Sequence, residues 1–252
     1  MLVDLSSIDM SSRTSQCLSA GLHARRRETG ARRRRLPAGR QALPASVHLR
    51  CGDACAQPGG GFRNGIATVR RRIRVAVDVP AALAPAPTGA LKNIRTTAFV
   101  ILDGTLPPID RISADTPYCS GKHKRHGVNV QVLTDPFGRL LWASPSPPGS
   151  VHGLTAARTH GITDTLAAAE PSRAEALGGT GVAGHPVRDP LRDRRPKRRK
   201  RRHNSSHAKI RCRAEQTIAA LKSRWLLRKP RRSTNRNTTN VQAVLVLHHT
   251  SA

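Results

Sequence analysis

Two acidic residues stand where a reaction could be built. Asp103 follows the apolar run Ala98-Phe99-Val100-Ile101-Leu102 and precedes Gly104-Thr105. A carboxylate leaving a strand end can hold a divalent cation, or it can simply cap a turn. Glu215 lies more than a hundred residues downstream, in a stretch where Ile210, Ala214, Ile218 and Leu221 share one face of a helix. Alone it reads as an ion-pairing residue beside Arg211 and Lys222. Together, a strand Asp and a late-helix Glu can meet at a metal pair. That arrangement suits phosphodiester chemistry, in which two cations polarise the scissile phosphate and activate water or a 3′-hydroxyl.

The elements that must position these acids are readable in outline. The run ending at Asp103 predicts a short buried strand. Val128-Asn129-Val130-Gln131-Val132-Leu133 alternates as a second strand, and the turn Asp135-Pro136-Phe137-Gly138 leads into a third, Arg139 to Ala143. Those three form an antiparallel meander. Pro147-Pro148-Gly149 breaks the chain before a helix over Leu154 to Ile162. Between Ala167 and Arg195 no clear strand or helix is visible. The basic run Lys197 to Arg202 precedes the helix of Ser206 to Leu227. Val241 to His248 closes the chain as a helix expected to return to the sheet.

The N-terminal third differs. Residues 1–35 are polar, carry the clusters Arg25-Arg26-Arg27 and Arg32 to Arg35, and read as a disordered basic arm. Over residues 36–84, Ala42, Leu43, Val47 and Leu49 suggest a helix that Pro44 interrupts. Gln57-Pro58-Gly59-Gly60-Gly61 breaks a middle helix. Ile66, Val69, Ile73, Val75, Ala76 and Val77 then form an apolar stripe, with Arg70, Arg71, Arg72 and Arg74 between them. Three short helices with a basic last one is the layout of a helix-turn-helix reader, and the bland alternative is a solvated basic helix. Residues 85–97 read as an Ala/Pro linker.

Composition narrows the partner. Across 252 residues, 44 Lys+Arg face 15 Asp+Glu, a formal net charge of +29. Self-repulsion on that scale calls for a polyanion, nucleic acid first and an anionic membrane second. No apolar run approaches the roughly 18 residues of a membrane span, and Met1 to Ala20 has no secretory apolar core. Hence no membrane association is expected. Arginine far outnumbers lysine, a skew that G/C-rich coding also produces. The cysteines, Cys17, Cys51, Cys55, Cys119 and Cys212, are odd in number and lack paired metal-ligand spacing. Free thiols in a reducing cytosol are expected. Two Trp, one Tyr and three Phe leave few large anchors for a core.

Several blocks carry a resemblance. Phe99 to Arg111 resembles the first catalytic block of DDE-type insertion-sequence transposases, in particular the branch related to Harbinger transposases. Tyr118-Cys119-Ser120-Gly121-Lys122-His123-Lys124-Arg125-His126-Gly127-Val128-Asn129-Val130-Gln131 resembles their Y-x-S-G-K-H-K-R-H-x-x-N-x-Q signature. Gly138 to Ser144 and Pro148-Gly149-Ser150-Val151-His152 continue it. Asn204 to Arg211, with Glu215 and Leu221-Lys222, is similar to the block around the last acid. Pro37 to Leu43 and His48 to Asp53 resemble the helix-turn-helix module that precedes the catalytic domain.

The resemblance implies an α/β protein: an RNase H-like domain over residues 98–252, a mixed sheet flanked by helices, behind a helix-turn-helix-like region. It implies Asp103 as the first metal-binding catalytic acid and Glu215 as the last, with Mg²⁺ or Mn²⁺ in a two-metal site. Lys122, Lys124 and Arg125, joined by His123 and His126, would contact DNA phosphates, and Arg70, Arg71, Arg72 and Arg74 would serve the reader. The implied partners are the element's terminal inverted repeats and further copies of the chain, on cytoplasmic, nucleoid-associated DNA.

The sequence also departs from that pattern. Gly153 replaces an expected Asp, and the strand expected to hold the second catalytic Asp is unrecognisable within a disrupted segment at about 168–195. Glu175 is the nearest acid. With one acid missing the metal pair is under-coordinated, so this copy is expected to be inactive. A non-enzymatic basic DNA-binding protein and a decayed reading frame are the alternatives.

Overall fold

The computed structural model describes residues 11–30, 37–51, 65–92, 99–109, 116–168, 175–177, 198–223 and 236–251. The chain divides into two compact units. One comprises Met1–Ala84 with Lys222–Ala252, the other Pro85–Leu221.

The first unit is helical: α1 is Ser12–Glu28, α2 is Ala38–Cys51 and α3 is Ile66–Ala81. The last helix of the chain, Asn237–Ser251, also belongs to it. The basic arm expected to lack structure therefore contains a helix. Its buried stripe is narrow, Thr14, Leu18 and Leu22 at four-residue spacing, so arginine dominates the composition and hides it. Ser11 caps the start by accepting from the Thr14 N–H at 3.3 Å. Arg25, Arg26 and Arg27 fall in the last turn, where the helix dipole favours cations. A Cβ on Gly21 would lie 2.7 Å from Val79 of α3, so glycine permits the close approach of these helices.

Pro44 does not interrupt α2. The helix runs through it, at the loss of one backbone hydrogen bond, because Gln41, Ala42, Ala45, Ser46, Val47, His48 and Leu49 are all buried around it. In α3 the buried face is Val69, Ile73, Ala76, Val77 and Pro80. Arg70, Arg71 and Arg74 are exposed and Arg72 is half-buried. The broken middle helix around Pro58 lies outside the described residues.

The second unit is built on a sheet. Strand β1 is Phe99–Thr105, and β2 (Cys119–Ser120) and β3 (Arg125–His126) form a small hairpin. β4 is Val130–Thr134, β5 is Leu140–Ala143 and β6 is Glu175–Leu177. The sheet order is β5-β4-β1-β6. β4 runs antiparallel to both β1 and β5, as the meander requires. β6 runs parallel to β1, with Phe99 opposite Glu175 and Ile101 opposite Leu177. The stretch expected to hold no element thus supplies a fourth strand. Three residues are too few to show alternation, so only the exposed edge of β1 could recruit them.

Val100, Ile101 and Leu102 are buried, as are Val130, Val132 and Leu133. A central strand covered on both faces reads as a continuous apolar run. The residues expected to be a linker include a short helix, α4 (Pro87–Lys92), which packs on β5. Just before it, the Pro85 carbonyl accepts from the buried Trp142 indole at 3.1 Å.

The helix expected over Leu154 to Ile162 is two, α5 (Gly153–Thr159) and α6 (Ile162–Ala168). Gly161, at φ +66°, turns the chain between them. α7 is Arg198–Ser223, so the basic run at its start is helical. The closing helix expected to return to the sheet, α8 (Asn237–Ser251), packs instead along α3 and against α1.

His160, at the α5–α6 corner, lies edge-on to Trp142 with ring centroids 6.3 Å apart. Burial pushes its pKa below the ordinary histidine value. The unfolded chain then binds the proton more readily than the native one. Stability from this residue is complete above about pH 6.5 and is lost as pH falls from there through the lowered native value. The melting temperature of the wild type should drop across that window. In His160→Gln this part of the slope should vanish, and an unchanged profile would remove His160 as its source.

Candidate nucleic-acid interface and acid pair

The basic signature folds into a tight hairpin. Residues 121–124 make the turn between β2 and β3, closed by Lys124 N–H donating to the Ser120 carbonyl at 2.8 Å. The Ser120 hydroxyl accepts from the His123 N–H at 3.3 Å. Lys124 adopts φ +52°, a left-handed conformation uncommon outside glycine. Lys122, His123, Lys124 and Arg125 are exposed and His126 is half-buried, with its Nδ1 buried and unpartnered.

Backbone hydrogen bonds stitch the hairpin base to its neighbours. Ile109 N–H donates to the His126 carbonyl, Val128 to Pro107, and Asn129 to Pro147, at 2.8–3.2 Å. Gly127 donates to Tyr118 at 2.9 Å, and Gly149 donates to Gly127 at 3.0 Å. Two glycines make the approach possible. A Cβ on Gly127 would lie 2.8 Å from the Pro107 carbonyl, and one on Gly149 would lie 2.6 Å from the Gly127 carbonyl.

Beneath this lies a polar core. Gln131 is fully buried, and its side-chain amide donates to the Asn129 side-chain Oδ1 at 2.8 Å. Asn129 donates to the Val151 carbonyl at 2.8 Å. The Ser144 hydroxyl accepts from the Gln131 N–H at 2.9 Å. Gln131 is opposite Gly104, where a Cβ would meet its amide at 3.1 Å. The side chains of the signature after its basic residues therefore hold the frame beside Asp103. Polar side chains among buried strand residues are the signal for such a role, since a buried amide must be bonded.

Asp103 is half-buried, opposite Val132, and accepts from the Gly104 N–H at 2.9 Å. It lies within β1 and not at its end as expected, because Gly104 and Thr105 continue the pairing with Gln131 and Val130. Glu215 is exposed on α7, flanking the buried face of Ala214, Thr217, Ile218 and Leu221. α7 docks at the β4–β5 turn, where the Thr217 hydroxyl donates to the Gly138 carbonyl. That turn follows Thr134, which is opposite Ile101. Glu175 is opposite Phe99, four residues before Asp103 and roughly 13 Å along the strand at about 3.3 Å per residue.

Among the described residues no group of three or more His, Cys, Asp and Glu side chains could hold a metal ion. The acids among the described residues do not fit a two-metal centre. Cys17, Cys119 and Cys212 are free thiols. The side chains of Cys51 and Cys55 lie outside the described residues.

The comparison with protein families matches residues 102–249 to the DDE superfamily endonuclease family. This covers more than half of the chain. The chain belongs to the DDE superfamily endonucleases. No curated protein and no solved structure matches it. DDE endonucleases act on nucleic acid and generally use divalent metal ions, so a transposase-like nuclease function follows at the level of the family. The match takes in Asp103, the basic hairpin and Glu215. Among the described residues no helix is long and apolar enough to cross a membrane.

Proposed function

We propose that this DDE superfamily endonuclease descends from a Harbinger-related transposase and now binds DNA without cutting it. An RNase H-like reading is supported by the sheet order, with antiparallel β4 and parallel β6 on either side of the strand that carries Asp103. In the transposases it resembles, the second acid belongs on a strand after the helix. β6 occupies such a place, and its one acid, Glu175, is level with Phe99 and not with Asp103. The residues that follow are Gly178, Gly179 and Thr180. That mismatch is the observation that carries inactivity. On this reading Asp103 and Glu215 remain as the family's first and last metal ligands, for Mg²⁺ or Mn²⁺, and among the described residues no third ligand joins them.

Each unit supplies its own binding residues: Lys122, His123, Lys124, Arg125 and His126 on the hairpin, and Arg70, Arg71, Arg72 and Arg74 on α3 as a helix-turn-helix-like reader. The targets are the element's terminal inverted repeats, held by more than one copy of the chain on nucleoid-associated DNA. A non-enzymatic repressor of related elements is the second reading, favoured by a basic hairpin held in a closed hydrogen-bonded frame beside an incomplete acid set.

The test uses the purified full chain and duplex DNA ending in those repeats, with Mg²⁺ or Mn²⁺. No strand cleavage is expected. Affinity should fall steeply with salt, by about 0.9 logarithmic units per phosphate contact for each tenfold rise in salt. Cleavage that disappears in Asp103→Ala would overturn the inactive reading. Affinity unchanged across a salt titration would overturn the phosphate-binding one.

A further inference from the structure

The β4–β5 turn displays an aromatic ring that the fold does not use. Phe137 is 77% exposed, in a chain with only three phenylalanines. An isolated exposed hydrophobic residue is ordinary. This one is different because the backbone beneath it is held on several sides. The buried Asp135 carboxylate accepts from the N–H groups of Phe137 at 2.8 Å and Arg139 at 2.7 Å. Asp135 N–H donates to the Arg139 carbonyl at 3.0 Å, and Gly138 N–H donates to the Asp135 carbonyl at 3.1 Å. Gly138 adopts φ +83°, and its carbonyl accepts from Thr217 on α7. A Cβ at Gly138 would come within 3.1 Å of the Arg213 carbonyl. The ring is presented from a fixed base, so little conformational entropy is lost when it makes contact.

The surroundings select what it could contact. Arg139, in the turn, and Arg213, on the helix docked against it, are both exposed. The turn's own carboxylate points inward and is engaged by two N–H groups. Glu215 lies about 200° around the helix from Arg213. An exposed apolar ring on a turn that also carries Arg139 and abuts the Arg213 backbone matches a ligand with a flat π-face and an anionic border. A nucleobase on its phosphodiester backbone has both, and base–aromatic stacking tolerates any base. In a paired duplex the base faces are occupied by stacking, so the contact requires a base that is unpaired or extruded.

We propose that Phe137 stacks on an unpaired nucleobase of bound DNA, while Arg139 and Arg213 engage the flanking phosphates. This rests on the DNA-binding reading above and adds a preference for DNA with an exposed base.

The experiment compares a fully paired 20-base-pair duplex with the same duplex carrying one bulged 2-aminopurine. Affinities are measured for the full-length wild type and for Phe137→Ala, Phe137→Leu and Phe137→Trp. Circular dichroism confirms that each variant is folded, as the exposure of the side chain leads one to expect. The wild type should favour the bulged duplex by about tenfold and quench the 2-aminopurine fluorescence. Phe137→Ala and Phe137→Leu should lose both effects, and Phe137→Trp should retain them. Equal affinity of the wild type for both duplexes, or a preference that survives in Phe137→Ala or Phe137→Leu, overturns the proposal and leaves DNA binding intact. Failure of the wild type to bind either duplex overturns the DNA-binding reading itself.

Discussion

Truncating the chain after Asn235 is expected to abolish cooperative melting of the helical unit. α8 buries Val241, Val244, Leu245 and Leu247, with Ala243 between them, against α3 and α1. Burying each large side chain is worth about 1.5–3 kcal/mol. Their sum is comparable with the entire stability of a typical domain, about 5–15 kcal/mol. The truncation also removes Arg236, which pairs with Asp78 at 2.7 Å. That pair is partly exposed and contributes little by comparison. Leu245→Ala gives the milder version. It should cost about 2–5 kcal/mol, since Leu245 is fully enclosed and its removal leaves a cavity. Differential scanning calorimetry with limited proteolysis checks both. If residues 11–81 still melted cooperatively and resisted protease after truncation, α8 would not be part of that core. If the exposed arginines of α3 bind DNA as proposed, the truncation should also weaken DNA binding, because α3 packs against α8.

The second large effect is expected at Gly149. A Cβ there would lie 2.6 Å from the Gly127 carbonyl oxygen and 2.7 Å from that of Tyr118. Both atoms are backbone, so neither can swing aside as a flexible side chain would. Gly149→Ala should therefore push the loop off the hairpin base, at a cost of about 1–3 kcal/mol. Hydrogen exchange should show faster opening at the amides of Gly127 and Gly149, whose bonds close this junction. Gly121→Ala is the matched control, because a Cβ there meets nothing within 4 Å. Equal melting temperatures for the two variants would show that the junction yields without cost. If the basic hairpin is the phosphate-binding surface, Gly149→Ala should also weaken DNA affinity with every charge still in place.

The two effects mark where the sequence was informative. Strands β4 and β5 were legible because they pair through a short turn that Asp135-Pro136-Phe137-Gly138 names, and β1 because its apolar run is continuous. The basic signature stands out for a local reason too, as a run of consecutive residues from Lys122 to His126. α1 was not, because a stripe of Thr14, Leu18 and Leu22 among arginines is too thin to stand out from a polar arm. The position of α8 was not legible either. Buried residues occur at 241, 243, 244, 245 and 247, so its apolar character is spread around the helix and names no single partner. The roles of Asn129, Gln131 and Ser144 were hidden in a strand pattern, since alternation gives the period of a strand but not what lies beneath its polar members.

By itself, then, the sequence determined many of the local elements, the excess of positive charge and, through its motifs, the family. Each depends on residues close together in the chain, where spacing alone sets geometry. Only the tertiary structure decided which core takes the last helix, that a three-residue segment joins the edge of β1, and that this register sets Glu175 beside Phe99 and away from Asp103. Those outcomes depend on which surfaces bury one another across long separations. Burial rewards the fit between two partners, and neither partner's sequence specifies that fit alone.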